Sequence, residues 1–463
     1  MLFNSQVFIL GFLPIVLALY YALARRKVAR EWMLVLTSLV FYGWWDIRFL
    51  PLLVGQTLIS WLLSEWHFAE KRRGRRGRLP LWLGIVGNLA VLGVYKYLDF
   101  AVDMLESASG LDLPRAELIL PIGISFYTFQ IVSYLIDALR QEAPRYGGRR
   151  FALFVVLYPQ LVAGPIVRHN EIIAQFDLDP LRTGLAERMG RGLCLFIIAL
   201  LAKVFIADPL AGIADPVFAA AATSPPTLAL SALGLLAFGL QIFFDFAAYS
   251  EMAVGLGWML GLSLPMNFNQ PYRATSLQDF WRRWHMTLSR FLRDYLYIPL
   301  GGSRQGTARF MLASLTTMGL CGLWHGAGVT FILWGLAHGV GLLVVRGWRE
   351  LGVTMPALLG WALTFSFAIL TFGLFRAPDL ASAGNLFAGL AGTAGLGVPW
   401  DIESSLVVLL ALTIALVPQP ALVLVERQLW PSRLLAAGLA LATAFTVLSL
   451  GQGAPQSFIY FQF

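Results

Sequence analysis

Residues 7–23 read VFILGFLPIVLALYYAL, a stretch without a single charged side chain. A helix needs about 20 mostly apolar residues to cross the hydrocarbon core of a bilayer, and comparable stretches recur along the whole chain. Of its 463 residues 58% are hydrophobic and 13% are charged, whereas soluble domains carry about 25% charged residues. A water-soluble fold could not cover that much apolar surface, and the runs are too long for the short alternating strands of a barrel. The sequence predicts an all-α polytopic membrane protein.

The loops between the apolar runs predict its topology. The net charge is +8, and the basic residues lie in short loops such as 25–30 and 67–79, which is typical of cytoplasmic loops facing anionic lipid and not of nucleic-acid binding. An acidic loop at 99–117 is expected outside. The first stretch lacks a basic region before it and a small-residue cleavage site, so we expect a retained helix. Both termini are then periplasmic.

Counting the apolar runs gives about 11–12 transmembrane helices. Residues 151–164 and part of 228–264 are too short or too interrupted for a full crossing and predict re-entrant segments. No internal repeat and no Ser-, Gly- or Pro-rich linker divides the chain, so we expect one membrane-embedded domain over 1–463. The two cysteines, Cys194 and Cys321, each lie in an apolar run, so neither a disulfide framework nor a metal site is predicted, and no bound cofactor is expected.

The longest polar segment runs from Pro265 to Arg309. If 277–295 forms one helix at about 100° per residue, its arginines share an arc of about 100° and His285 lies opposite, among apolar residues. This pattern predicts an amphipathic helix at the membrane surface. The arginines fit lipid headgroups, or they fit the phosphates of a donor such as coenzyme A, which Arg binds bidentately; they are Arg282, Arg283, Arg290 and Arg293.

His325 stands out among the five histidines. It lies in GLWHGAG at 322–328 between two apolar runs, so its imidazole is placed at membrane depth, where ionisable groups are typically functional. The glycines would leave room beside the ring, and a neutral imidazole can act as a general base. A packing histidine bonded to a carbonyl is the alternative. For His338, inside an apolar helix, an interhelical hydrogen bond is favoured.

The remaining histidines and known motifs add little. His67 is expected to be solvated at the edge of a basic loop, and His169 to make a loop contact. A nucleophile elbow, a P-loop and a His-Glu-x-x-His motif are absent from the sequence, which disfavours a triad hydrolase, an NTPase and a zincin.

Several motifs in order carry a resemblance that extends over almost the whole chain. They are LPIGISFYTFQ at 120–130, AGPIVR at 163–168, FDF at 244–246 with YS at 249–250, NFNQPY at 267–272, DFWRRWH at 279–285, YIPLGG at 297–302 and WHG at 324–326. With them the chain resembles the membrane-bound O-acyltransferase family, in its bacterial branch around the alginate O-acetyltransferase membrane subunit and the teichoic-acid D-alanyl transfer protein. Ala247-Ala248 departs from the Ser-Gly expected there.

The resemblance implies a ring of tilted helices around a thinned centre. His325 matches the family histidine that lies between a cytoplasmic entrance for the acyl donor and an extracytoplasmic opening for the acceptor. His285 matches a second, upstream polar position, and is expected to orient the donor or to hydrogen-bond the developing oxyanion. Asn267 and Asn269 join the four arginines as candidate donor-binding residues.

The expected activity is transfer of an acyl group from a cytoplasmic thioester to a hydroxyl across a bacterial inner membrane. The long match to the alginate branch favours acetyl from acetyl-CoA, passed to a polysaccharide or to a periplasmic SGNH-type acetyltransferase partner. D-Alanyl transfer from a carrier protein is the nearest alternative. A polytopic transporter is another, although its paired halves have no counterpart here, because the polar residues concentrate between about 265 and 345. A non-catalytic membrane scaffold is a third.

Overall fold

The computed structural model describes residues 1–397, 402–427, 432–450 and 458–459, and within these ranges the chain forms helices and turns without a strand. The predicted all-α class is therefore confirmed. The α-helices are α1 Leu13–Ala22, α2 Lys27–Gly43, α3 Leu50–Arg72, α4 Arg78–Ser109, α5 Ile124–Leu139, α6 Gly148–Val156, α7 Tyr158–Leu161, α8 His169–Ile172, α9 Leu185–Ala202, α10 Asp208–Ala221, α11 Leu228–Met259, α12 Leu277–Arg283, α13 Met286–Leu292, α14 Thr307–His325, α15 Val329–Glu350, α16 Ala357–Arg376, α17 Leu380–Leu390, α18 Ile402–Ala415, α19 Ala421–Arg427 and α20 Arg433–Leu450.

Among the described residues, seven helical stretches are long and apolar enough to cross a membrane. They are Ile47–Arg72, Arg78–Ser109, Leu185–Ala221, Leu228–Met259, Val329–Glu350, Ala357–Arg376 and Arg433–Leu450. Four shorter apolar helices accompany them: Val7–Ala22, Ile124–Leu139, Leu380–Leu390 and Ile402–Ala415. The chain is thus a multi-pass membrane protein, as predicted.

Large apolar side chains on several of these helices are exposed. Leu434 and Leu441 of α20 are 87% and 73% accessible, and Leu79 and Val86 of α4 are 62% and 60% accessible. A soluble protein does not leave such continuous apolar faces open to water. These faces fit contact with lipid, and α11, the most buried of the seven stretches, fits the interior.

The contacts group the residues into two compact units. One comprises residues 1–197, 249–265 and 429–457, and the other comprises 198–248, 266–428 and 458–463. The chain passes between them several times, and α9 and α11 contribute residues to both. The single domain over 1–463 stays a prediction.

Two short helices lie where the first re-entrant segment is predicted. α6 ends at Val156, Leu157 interrupts the helix, and α7 covers only Tyr158–Leu161. Pro159 lies in the first turn of α7, where its missing N–H costs nothing. Both helices are too short to cross a bilayer, which agrees with the prediction for 151–164.

The predictions for three other segments need correction. The re-entrant segment within 228–264 was wrong, because α11 runs unbroken for 32 residues to Met259. The acidic loop 99–117 is helical up to Ser109, where α4 ends at Gly110 with a left-handed backbone. The single helix over 277–295 is also wrong. α12 ends at Arg283, Trp284 is extended, His285 is left-handed with φ +41°, and α13 begins at Met286.

Close packing of α14 against α15 fixes the end of α14. A Cβ on Gly322 would lie 2.1 Å from the carbonyl oxygen of Phe331, and a Cβ on Gly335 would lie 2.1 Å from that of Met318. Only glycine permits these approaches. The two helices therefore meet backbone to backbone, directly beside His325.

Candidate active site

His325 is the last residue of α14 and is 4% exposed. Aromatic rings surround it: the centroids of Trp324, Phe375 and Trp334 lie 4.9, 5.1 and 5.2 Å from that of the imidazole. Trp334 comes from α15 and Phe375 from α16. Three helices thus place one imidazole in a dry, aromatic environment, which strengthens any hydrogen bond that it makes there.

The glycine that follows His325 serves packing. A Cβ on Gly326 would lie 2.1 Å from a ring carbon of Phe331, so that phenyl ring occupies the space next to this glycine. The sequence interpretation of Gly326 was wrong on this point, because it could not show that Phe331, five residues on, folds back over it.

The left-handed backbone of His285 positions its imidazole. A non-glycine residue in this region costs about 1–2 kcal/mol, and such strain is found disproportionately at functional sites. Asn267 holds the turn: its carbonyl accepts from Met286 N at 2.8 Å, and its side-chain Oδ1 accepts from Thr287 N at 3.3 Å and Thr287 Oγ1 at 2.9 Å. The ring is fully buried, so the prediction that His285 turns inward is confirmed.

The same contacts define the tautomer of His285. Its Nδ1 lies 3.1 Å from Asn267 Oδ1, and the backbone N–H of Thr287 can only donate, so that Asn267 atom is the oxygen and Nδ1 carries the proton. Burial lowers the pKa of His285 to about 3, so the ring is neutral at physiological pH. Nε2 is then an acceptor, which suits orientation of a donor N–H or O–H and not donation to an oxyanion.

His338 makes the interhelical hydrogen bonds that the sequence predicts. Trp281 Nε1 of α12 donates to its Nδ1 at 3.2 Å, and its Nε2 lies 3.1 Å from Thr371 Oγ1 of α16. Because an indole N–H only donates, Nε2 carries the proton and donates to Thr371. Both ring nitrogens therefore join helices, which leaves His338 a structural residue.

Trp324 links the two candidate histidines. Its ring centroid lies 4.9 Å from that of His325 and 6.2 Å from that of His285. His285 also packs edge-on against Phe246 at 4.7 Å. The two predicted catalytic residues thus belong to one aromatic cluster, although their roles stay predictions.

The four predicted donor-binding arginines do not share one helix face. The break at His285 separates Arg282 and Arg283 of α12 from Arg290 and Arg293. Arg283 pairs with Asp279 at 3.0 Å and Arg293 with Asp294 at 2.7 Å. Arg290 is half-buried, and Arg282 is exposed without an ion pair in the described part of the chain. Asn267 supports His285. The backbone N–H of Asn269 donates to the Arg283 carbonyl, and the Arg283 guanidinium donates to the Asn269 carbonyl. Their donor-binding roles stay predictions.

Sequence reasoning missed a buried ion cluster around Lys203. Its Nζ lies 2.5 Å from Asp245 Oδ1 and 2.7 Å from Asp208 Oδ1, and the Lys203 and Asp245 side chains are 2% and 3% exposed. Asp245 Oδ2 also accepts the backbone N–H of Ile459 at 2.7 Å. A lysine and two aspartates within apolar stretches were the available signal, since intramembrane charges pair with one another.

Two further histidines are buried: His67, which was expected to be solvated, and His169, which makes the expected loop contact. His67 Nδ1 lies 2.7 Å from the carbonyl oxygen of Gly77, so the predicted solvated position was wrong. His169 is 1% exposed, with Nε2 3.2 Å from Asp137 Oδ2 and Nδ1 3.1 Å from Tyr146 OH. It joins α5 to the segment before α6.

Comparison with known proteins decides the family. The profile of the membrane-bound O-acyltransferase family matches residues 97–381. The chain is a membrane-bound O-acyltransferase. The match covers α5 to α16 whole and takes in His285 and His325. The chain is therefore an acyltransferase, and the transporter and scaffold alternatives are set aside.

Three relatives illustrate the range of this acyltransferase family. The chain is 41% identical over 399 residues to the probable alginate O-acetylase AlgI of Pseudomonas aeruginosa, covering 84% of this chain and 75% of the relative. It is 37% identical over 431 residues to the peptidoglycan O-acetyltransferase of Helicobacter pylori, covering 86% and 81%. It is 28% identical over 216 residues to the teichoic acid D-alanyltransferase of Streptococcus thermophilus, covering 44% and 52%.

Proposed function

We propose that this acyltransferase moves an acetyl group from acetyl-CoA at the cytoplasmic face to a hydroxyl of an extracytoplasmic polysaccharide, or of a periplasmic SGNH-type protein that relays it. The observation that carries the proposal is the burial of His325 among aromatic rings from α14, α15 and α16, in a chain of this family. The membrane is the bacterial inner membrane, with both termini in the periplasm.

The reaction needs one base and one leaving thiol. As the acceptor oxygen attacks the thioester carbonyl, His325 takes the hydroxyl proton, the C–O bond forms and the carbonyl oxygen becomes an oxyanion. Collapse of this intermediate breaks the C–S bond, and the proton passes from His325 to the departing thiolate. His285, neutral and protonated on Nδ1, orients the donor by accepting a hydrogen bond at Nε2. The products are an O-acetyl ester and coenzyme A.

Acetyl is favoured over D-alanyl by the extent of the similarities. The similarity to the two O-acetyl-transferring relatives covers 84% and 86% of this chain, whereas that to the D-alanyltransferase covers 44%. A carrier-protein donor remains the second candidate.

The first test compares donors with the purified chain in lipid nanodiscs. We expect thiol release from acetyl-CoA that depends on an added polysaccharide or relay protein, and transfer of labelled acetyl to that acceptor. A D-alanyl carrier protein should support no transfer. Transfer from the carrier alone would replace acetyl-CoA as donor, and release without any acceptor would indicate a hydrolase.

Arg282 is expected to bind the nucleotide part of the donor. Its guanidinium is exposed and no carboxylate in the described ranges neutralises it, whereas Arg293 is already paired with Asp294. We expect Arg282→Gln to raise the KM for acetyl-CoA about tenfold, the loss of about 1.4 kcal/mol of uniform binding, with kcat unchanged. The measurement is a donor titration of the thiol-release rate.

Two controls separate phosphate binding from general surface charge. Arg293→Gln removes one positive charge from an existing pair and should change KM less than Arg282→Gln does. Acetyl-pantetheine carries the thioester without the nucleotide, so its KM should be the same for wild type and Arg282→Gln. An unchanged KM for acetyl-CoA in Arg282→Gln would leave that arginine to lipid headgroups.

A further inference from the structure

We infer that Trp334 is a further catalytic residue, whose indole N–H hydrogen-bonds the carbonyl oxygen of the acyl group and stabilises the oxyanion formed beside His325. This role rests on the proposed acyl transfer at His325. It supplies a hydrogen-bond donor for the oxyanion, which His285 cannot be because its Nε2 is an acceptor.

The indole N–H of Trp334 is a buried donor that meets no acceptor in the part of the chain that the structure describes. The side chain is 1% exposed, and its Nε1 has no hydrogen-bond partner among the residues that the structure describes. Leaving a buried donor unsatisfied costs free energy, and most buried polar groups in proteins are bonded. We therefore expect this N–H to have a function. The carbonyl oxygen of a bound substrate would accept its hydrogen bond.

The position of this indole suits that function. Its ring meets the imidazole of His325 at an interplanar angle of 88°, with the centroids 5.2 Å apart, and meets Phe375 at 5.1 Å. A carbonyl carbon attacked beside His325 would lie next to the Trp334 ring, and the proposed hydrogen bond joins its oxygen to the indole N–H of that ring. An indole N–H donates a hydrogen bond and cannot accept one. It therefore does not compete with His325 for the proton of the acceptor hydroxyl.

Trp281 supplies the internal comparison. Its ring centroid lies 5.9 Å from that of Trp334, and it is buried in the same cluster, but its Nε1 donates to His338 Nδ1 at 3.2 Å. Of these two neighbouring indoles, Trp281 therefore has a structural partner for its N–H, and Trp334 has none in the described ranges. Aromatic packing alone requires neither N–H, which makes the two substitutions to phenylalanine a matched pair.

The experiment measures thiol release and thermal stability of wild type, Trp334→Phe and Trp281→Phe in nanodiscs, with acetyl-CoA and acceptor supplied. Removing one oxyanion donor costs about 10²–10³-fold in kcat, so we expect that loss for Trp334→Phe, with little change in the KM for donor. Its Tm should be unchanged or higher, since an unsatisfied donor has been removed. Trp281→Phe should show the reverse: a lower Tm and a kcat within about threefold of wild type.

A kcat for Trp334→Phe within about threefold of wild type would overturn the role. If Trp334→Phe does not assemble, 3-benzothienylalanine at position 334 keeps the shape of the indole and replaces the N–H by sulfur. It should show the same loss of kcat, and normal turnover would again overturn the role. Absence of thiol release by wild type, or full release by a His325→Gln variant, would instead remove the proposed function itself.

Discussion

His325→Gln protein is expected to assemble normally and to release thiol from acetyl-CoA about 10²–10⁴-fold more slowly than wild type, which is the contribution typical of a positioned general base. Glutamine keeps a polar side chain of similar length at the end of α14 but cannot accept and carry a proton. The measurement is kcat for thiol release, with labelled acetyl transfer to the acceptor as a second readout.

His338→Gln is the matched control for this substitution. His338 is equally buried and lies on the neighbouring helix, but both of its ring nitrogens are engaged by Trp281 and Thr371. We expect it to lose about 1–3 kcal/mol of stability, the cost of leaving buried partners unsatisfied, and to keep a rate within about tenfold of wild type. Near-normal release by His325→Gln, or equal losses in both variants, would remove the special role of His325.

The lengths of the hydrophobic runs predicted the class of this fold. They did not predict local interruptions of the helices. The membrane helices follow from stretches of uncharged residues, because a bilayer imposes the same length requirement on each of them. The break at His285 depends on hydrogen bonds that Asn267, 18 residues earlier in the chain, accepts from residues 285–287. Helical periodicity over 277–295 does not show this break. The sequence therefore predicted one arginine face, whereas the structure has two separate helices.

For the site, the sequence named candidate residues but could not give their surroundings. His325, His285 and His338 could be ranked from their neighbours in the chain, and the hydrogen bonds of His338 agree with its lower rank. Phe331 over Gly326, the unsatisfied N–H of Trp334 and the pairing of Lys203 with Asp245 all depend on which helices meet. Such contacts follow from tertiary packing, which a single sequence does not specify.

The aromatic cluster has a chemical consequence for the proposed reaction. Water that reached the thioester beside His325 would hydrolyse it, so an acyltransferase needs a base in a water-poor environment. Trp324, Trp334 and Phe375 provide it around His325. The same exclusion of water strengthens a hydrogen bond from an indole N–H to a developing oxyanion.

Lys203→Met is expected to have the largest effect on assembly. It would leave the buried carboxylate of Asp245 and the partly buried carboxylate of Asp208 without the ammonium that lies 2.5 and 2.7 Å from them. Removing one partner of a buried ion pair costs about 3–5 kcal/mol, a large part of the stability of a folded protein. The yield of monodisperse protein after detergent extraction should fall severely, and the Tm of the remainder should drop.

We expect the lower yield of Lys203→Met to come from the uncompensated negative charge and not from loss of the lysine side chain itself. A double variant separates these two causes. Lys203→Met with Asp245→Asn removes one buried charge of each sign, so its yield should recover well above that of Lys203→Met alone. Lys27→Met breaks an ion pair with Asp177 whose side chains are 40% and 48% exposed, and such a pair contributes about 0–1 kcal/mol. Its yield should match wild type. A double variant no better than Lys203→Met would show that the lysine is needed for its hydrogen bonds and packing, because the uncompensated charge would no longer explain the loss.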